Sequence, residues 1–284
     1  MIQVPRHDYP TGYLERILRA LEKNLQGEIN DLEDSPEWFT MALGSALTVF
    51  NRRCSEDATA DKLETWESFV TAMQVGSALF TSALATTDTV ECLINHQKRT
   101  IRSGARPWAH AGNWLTAFWL ACTGREERRM TELCQVPVSL MRQSGAVFDD
   151  YIYHWVEALQ AYWLKRPELG NKLVAAVEGT DPDALRHTAP PAVLQLMYPP
   201  MNLLTQLVRG NQDRFNTELA QALEWHKDYW TRTEERALHS DGLIALAPMG
   251  VTGLALLTGF TIDVESDYMP QHLVNGDWVG EFAT

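Results

Sequence analysis

Residues 242–262 read GLIALAPMGVTGLALLTGFTI and carry no charged side chain over 21 positions. A helix that crosses a bilayer needs about 20 apolar residues, so the length alone would suit a membrane span. Pro248 and the glycines lower the helix propensity, however, and no Lys or Arg follows Arg236 to supply a basic flank. The stretch therefore predicts two short buried helices at the centre of a helical fold, with Pro248 beginning the second or kinking a longer one.

The chain before this stretch repeats apolar residues at helical spacing. An amphipathic helix is predicted over 11–25, with Tyr13 on its apolar face. Ser35-Pro36-Glu37 is a helix-start signal, because it offers a capping oxygen, a proline for the first turn and an acid near the positive helix end. A third helix is expected near 60–85, and Asp181-Pro182-Asp183 repeats the start signal for a short later helix. Strand and hairpin signals are almost absent, so the predicted fold class is all-α.

A weak internal spacing suggests how the helices are arranged. Gly124, Pro167 and Gly210 each lie between two helical patterns and follow one another at equal intervals of 43 residues. Helix-turn-helix units of this length stack in α-solenoids, so we predict stacked helical hairpins, with an irregular helical bundle as the alternative. The predicted organisation is one helical unit over 1–284, with a helical region over 1–105, a repeat-like region over 106–235 and an apolar helical hairpin over 236–284.

Composition excludes some classes of function. The formal net charge is −13, and a nucleic-acid binder needs clustered Lys and Arg to neutralise phosphates. The four cysteines, Cys54, Cys92, Cys122 and Cys134, show no zinc-ligand spacing, so we expect buried free thiols. The first residues show no basic start followed by an apolar segment, which would mark a secretory signal. The cytoplasm is the expected compartment, without a nucleic-acid or membrane partner.

Catalytic motifs are scarce. HExxH, GxxxxGK[ST], GxGxxG and GxSxG are absent from the sequence. Asp149 and Asp150 resemble part of a magnesium motif of helical synthases, but a helix N-terminus also explains them. His154 and Glu157 share a helix face, whereas His226 and Asp228, two residues apart, do not. We therefore predict no catalytic residue, no metal and no cofactor, and we expect core packing to explain most of the ten tryptophans.

Charge is segregated along the chain. Residues 24–51 contain five acids and no base, and six acids without a base follow Arg236. By contrast, Lys98 to Arg129 holds seven bases and two acids. Solvated helix faces often produce such runs. If the acidic segments bind a partner, a complementary basic surface would accelerate its capture.

Both ends of the chain resemble one known family. The opening VPRHDYP before an amphipathic helix, and the ending HSDGLIALAPMGVTGLALLTGFTIDVESDYMPQHLV, are similar to the immunity 49 family of bacterial polymorphic-toxin systems. The similar elements at the end are an apolar helix over Gly242–Pro248, a small-residue helix over Gly250–Gly259, and an acidic turn at Ser266-Asp267-Tyr268 followed by Pro270 and Leu273. Between 108 and 232 the resemblance lies in helical character more than in residues.

This resemblance implies a cytoplasmic immunity protein without enzymatic activity. Such a protein binds a cognate toxin and blocks the toxin's active site or substrate, which requires surface complementarity rather than catalytic groups. The resemblance also implies a structural role for the motif residues Gly242, Pro248, Gly253, Asp267, Tyr268 and Pro270, with the turn 267–270 closing the last apolar helices. It implies neither the identity of the toxin nor the interface residues.

Charge alone supplies a hypothesis for the surface that faces the toxin. We expect it within the first acidic segment, residues 28–37, and the second acidic segment, residues 263–281. Its candidate residues are Glu28, Asp31, Glu33, Asp34, Glu37, Asp263, Glu265 and Asp267. A basic toxin of the nuclease or deaminase type would suit them. The alternatives are a helical-repeat scaffold and an all-helical metal-dependent enzyme that uses the polar cluster around Asp150.

Overall fold

The computed structural model describes residues 1–12, 14–104, 106–281 and 284. Helices dominate these residues and form an all-α bundle, which confirms the predicted fold class. The α-helices are α1 (Leu14–Asp31), α2 (Phe39–Glu56), α3 (Leu63–Leu84), α4 (Ala111–Thr123), α5 (Glu127–Cys134), α6 (Val138–Gln143), α7 (Tyr151–Trp163), α8 (Leu169–Glu178), α9 (Pro190–Ala192), α10 (Tyr198–Val208), α11 (Gln212–Trp230), α12 (Glu234–Ala237), α13 (Leu246–Leu257) and α14 (Gln271–Asn275). Short 3-10 turns at Pro36–Trp38 and Ser240–Gly242 and a π-helical turn at Val193–Met197 complete the helical content, beside the strands β1 (Ile2–Gln3), β2 (Thr89–Ile94), β3 (Gln97–Arg102) and β4 (Val264–Glu265).

The first three helices pack side by side, as their apolar spacing requires. Helix α1 buries a stripe that includes Leu18 and Ile29 and runs to Asp31, beyond the predicted end at residue 25. Tyr13, at the start of that prediction, lies outside the described residues. The start signal at 35–37 becomes the 3-10 turn that leads into α2, although the Ser35 side chain makes no capping hydrogen bond. Phe50, on the buried face of α2, is fully enclosed.

The apolar stretch that begins at Gly242 belongs to the protein's core. Its first residue ends the 3-10 turn Ser240–Gly242, and the stretch then forms the single helix α13 with Pro248 in the first turn, so the prediction of two helices is wrong. The segment Ser240–Leu257 is long and apolar enough to cross a membrane, with a mean hydropathy of 1.5, but 72% of it is buried within the protein. The helix packs closely on α4, where Gly250 lies against the Trp119 ring and Gly253 against the Cys122 carbonyl.

Helical hairpins surround all three positions that mark the 43-residue spacing. The hairpins are α4–α5, α7–α8 and α10–α11. Each first helix ends in a Schellman-type bond that runs back five residues, donated by Glu126 N, Arg166 N and Asn211 N. These three donors are unequally spaced along the chain, so the helix ends do not follow the regular period. The repeat-like stacking of these hairpins stays a prediction.

Two local predictions are wrong. Strands β2 and β3 form an antiparallel hairpin that the sequence did not indicate. Its turn residues, Asn95 and His96, have φ values of 50° and 61°, and this two-residue turn with positive φ is usually signalled by Asn-Gly or Asp-Gly. Residues 181–183 form a turn rather than a helix start, because the Asp181 carboxylate accepts the Asp183 N–H at 3.0 Å.

The cysteine prediction is confirmed, since all four cysteines are buried free thiols. Most of the tryptophans at helical positions line the core, including the fully buried Trp114 and Trp155. Trp108 is also buried, but it lies in the turn before α4 rather than in a helix.

Candidate functional site

The first acidic segment covers the C-terminal end of α1 and the turn after it. Its acids Asp31, Glu33, Asp34 and Glu37 are exposed, and Glu28 is half-buried. The last turn of α1 contains no basic residue. Because a helix carries partial negative charge at its C-terminus, acids there repel the helix dipole as well as one another. A basic partner would relieve this repulsion.

One of these acids already has a partner within the protein. Glu33 Oε1 accepts a hydrogen bond of 2.7 Å from Thr100 N on the outer edge of β3. The neighbouring Arg99 is buried, and burial lowers the pKa of its guanidinium while Glu33 opposes that shift. Glu33 therefore helps to hold the hairpin against α1. Asp31, Asp34 and Glu37 make no side-chain hydrogen bond or ion pair with the residues that the structure describes.

The second acidic segment lies elsewhere on the protein. Asp263 and Asp267 are exposed, whereas Glu265 is half-buried and accepts a bond of 3.1 Å from Gln3 Nε2. Arg6 Nη1 contacts the carbonyl oxygens of both Cys54 and Asp267, which places this segment beside the C-terminal end of α2. The first acidic segment lies at the other end of α2, a helix about 27 Å long. The structure does not bring the two acidic segments into one patch.

Tyr268, a motif residue, connects the two ends of the chain. Its side chain is fully buried, and its hydroxyl accepts the His7 N–H at 3.1 Å and lies 2.8 Å from His7 Nδ1. Since His7 Nε2 lies 3.2 Å from the Ala237 carbonyl, Nε2 carries the proton and the hydroxyl donates to Nδ1. Burial raises the pKa of Tyr268 to about 12, so the hydroxyl keeps the proton that it donates.

The remaining motif residues lie in tight packing positions. A Cβ atom on Gly242 would approach the Trp230 ring to 2.9 Å. Pro248 is buried in α13, and its carbonyl accepts the Thr252 hydroxyl at 2.9 Å. Pro270 is buried directly before α14. Gly253 completes the set in the contact with α4 described above.

The candidate metal ligands are separated by their hydrogen bonds. Burial disfavours charge on Asp149, but backbone N–H groups of Arg186, His187 and Thr188 donate to its carboxylate and hold its pKa below the usual value. Asp149 thus anchors the loop before α9. Asp150 instead faces outward and pairs with Arg142 at 2.8 Å. Within 1–12, 14–104, 106–281 and 284, no group of three potential metal ligands comes together.

The two histidine pairs also have structural partners. His154 lies 3.4 Å from Glu157, which forms a shorter ion pair of 2.7 Å with Lys172. His226 is buried and donates from Nε2 to the Gly242 carbonyl at 3.0 Å, away from the exposed Asp228. Burial lowers the pKa of His226 to about 4, so it is neutral at pH 7. Its ring meets the Tyr268 ring edge to face at 4.8 Å.

A cavity of about 420 Å³ adjoins this histidine and was not indicated by the sequence. Its walls come from α4, α7, α11, the π-helical turn and the start of α13. The lining is mostly apolar and includes Trp119, Trp155, Trp230 and Pro248. The one sequence signal for this cavity was the set of tryptophans at helical positions. The same spacing occurs in a tightly packed core, so it could not predict a cavity.

Comparison with known proteins identifies the class of protein. A family model described as Immunity protein 49 matches residues 57–273. The match covers most of the chain, so the chain belongs to this family of immunity proteins, whose members are generally not enzymes. No curated protein and no solved structure matches the chain.

Proposed function

We propose that this protein binds a cognate antibacterial toxin in the cytoplasm and neutralises it by covering the toxin's active site. The family match over residues 57–273 carries the proposal. A helical protein with exposed charged segments can inhibit by surface complementarity alone, without chemistry of its own. The cognate toxin is accordingly the partner, and inhibition lasts as long as the complex does.

The toxin in this proposal is basic, of the nuclease or deaminase type. The formal net charge of −13 supports this choice, as do the exposed acids of the first acidic segment. Proteins that act on nucleic acids need positive surfaces to hold phosphates. An acidic inhibitor would therefore meet a field of opposite sign, which speeds encounter and aligns the two surfaces.

We expect charge reversal in the first acidic segment to slow association. The double variant Asp31→Lys/Asp34→Lys should associate with the toxin about tenfold more slowly at low salt, because steering depends on complementary charge. The difference should shrink in 1 M salt, where the Debye length is about 3 Å. Stopped-flow or surface-binding kinetics would measure both rates. Glu33 is left intact because its bond to Thr100 N makes it structural.

The matched control is Glu178→Lys/Asp183→Lys. Both residues are exposed acids remote in sequence from α1, and this pair changes the net charge by the same amount. Its association rate should remain near that of the unmodified protein. Equal slowing in the two double variants would assign the effect to net charge, and unaltered rates in both would remove the first acidic segment from the interface.

A further inference from the structure

The outer edge of β2 offers unpaired backbone groups. In the β2–β3 register, Val90 pairs with Ile101 and Cys92 with Arg99, and Ser103 N donates to Asp88 O just beyond the strands. Antiparallel pairs alternate between bonded and non-bonded positions. The even-numbered residues of β2 therefore bond to β3, and the N–H and C=O groups of Glu91 and Leu93 point away from β3.

The rest of this edge is capped by side chains, which delimits the open segment. Asn95 N donates to Gln74 Oε1 at 2.8 Å, and the Thr89 carbonyl accepts the Thr87 hydroxyl at 2.7 Å. The opposite edge of the hairpin is closed by the Glu33–Thr100 bond. Among the described residues, no backbone or side-chain partner bonds the backbone groups of Glu91 and Leu93.

A groove of about 690 Å³ runs along this open edge. We call it the hairpin groove; it is lined by α3, β2 and α5, and also by Thr284, whose hydroxyl donates to Glu126. Three of its polar lining residues are almost fully buried, with 1% of Gln74, 4% of Ser77 and 9% of Arg129 exposed. Gln74 Nε2 and Ser77 Oγ have no hydrogen-bond partner among the described residues, and Arg129 Nε has only an ion pair of 3.7 Å with Glu126. Buried donors without partners cost about 1–3 kcal/mol each, so the groove is built to receive acceptor groups.

A polypeptide in extended conformation fits these groups. An added strand would exchange hydrogen bonds with Glu91 and Leu93, which are two residues apart as strand pairing requires. Proteins usually protect open strand edges with lysine, proline or a covering element. Here the exposed residue is Glu91, which forms no ion pair with the described residues and therefore favours a basic side chain on the added segment.

We propose that an extended, basic segment of the cognate toxin binds in the hairpin groove as a third strand beside β2. Its backbone pairs with Glu91 and Leu93, and its carbonyl oxygens accept from Gln74 Nε2, Ser77 Oγ or Arg129. This inference rests on the proposed function and adds to it the mode of recognition. The toxin segment would thus contact the β2 edge of the hairpin, whereas Glu33 bonds to the β3 edge.

Residue-resolved amide hydrogen exchange tests the pairing directly. The full-length protein would be measured alone and with a catalytically inactive toxin encoded by the adjacent upstream gene. We expect the Glu91 and Leu93 amides to exchange at least tenfold more slowly in the complex, while the Val90 and Cys92 amides, already bonded to β3, change less. Failure of the unmodified protein to form a complex would count against the proposed function. A complex without protection at Glu91 and Leu93 would overturn the strand-addition inference alone.

Leu93→Pro supplies a second test. Proline removes the outward N–H and leaves the β2–β3 bonds intact, because the affected group faces away from the ladder. Leu93→Ala is the control, since it shortens the side chain but keeps the N–H. We expect Leu93→Pro to bind the toxin about tenfold more weakly than Leu93→Ala, the effect of one lost hydrogen bond.

Two further results would overturn the strand-addition inference. Equal affinities of two folded variants would overturn the inference. Protection of the same amides that grows with protein concentration in the absence of toxin, together with a dimer mass, would assign the groove to a second copy and also overturn it. If Leu93→Pro does not fold, amide exchange in the unmodified protein decides by itself.

Discussion

Gly253→Ala should lower the free energy of unfolding by about 3 kcal/mol, because overpacking a tight helix contact typically costs 1–3 kcal/mol and more where backbone is struck. A Cβ atom at this position would lie 2.6 Å from the Cys122 carbonyl oxygen and 3.1 Å from its carbon. The obstacle is the backbone of α4, which cannot rotate away as a side chain can. Urea denaturation followed by far-UV circular dichroism would measure the loss.

The same substitution at Gly27 is the matched control. Gly27 lies within α1, and a Cβ atom there meets nothing within 4 Å. Alanine should therefore stabilise the protein by up to about 1 kcal/mol, because it restricts the unfolded chain and favours the helix. If Gly253→Ala were as stable as Gly27→Ala, the close packing of α13 on α4 would be wrong.

Acid should destabilise the protein through His226. Its pKa is about 4 in the folded protein against an ordinary value of 6.5. Above pH 6.5 both states are neutral, and this residue adds no pH dependence. Between pH 6.5 and pH 4 the unfolded chain takes up a proton that the folded chain does not, so stability is lost as the pH falls and the loss levels off below pH 4. The total is about 3 kcal/mol.

His226→Gln isolates this effect. Glutamine can still donate to the Gly242 carbonyl but does not titrate, so the stability lost between pH 7 and pH 4 should shrink by about 3 kcal/mol. The control is His187→Gln, because the His187 residue is exposed. Denaturant unfolding at several pH values would compare the slopes. A slope in His226→Gln equal to that of His187→Gln would show that His226 is not held neutral by burial.

Local pattern predicted much of the helical framework. The uncharged run 242–262 correctly indicated buried helical structure, because burial removes apolar side chains from water, but it predicted two helices where the structure has one. The turn at Asn95 and His96 was missed because it lacks the glycine of the usual Asn-Gly or Asp-Gly hairpin signal. The turn at 181–183 was misread because an Asp-Pro pair begins turns as readily as helices.

The arrangement of the candidate site depends on contacts between distant segments of the chain. Sequence shows that residues 28–37 and 263–281 are acidic, but not that α2 separates them. Likewise, His7 and Tyr268 are 261 positions apart, and their bond exists only because both chain ends meet beside α11. The open edge of β2 was beyond prediction once the hairpin itself was missed. Patterns of a few residues carry no information about such pairings.

The most direct measurement of the central claim is survival under co-expression. Cells would express the product of the adjacent upstream gene alone or together with this protein, and the complex would be purified from the survivors. We expect that the upstream product kills, that co-expression restores growth, and that the two proteins co-purify. Death of cells that contain well-expressed, folded protein, with no complex recovered, would contradict the assignment as an immunity protein for that toxin.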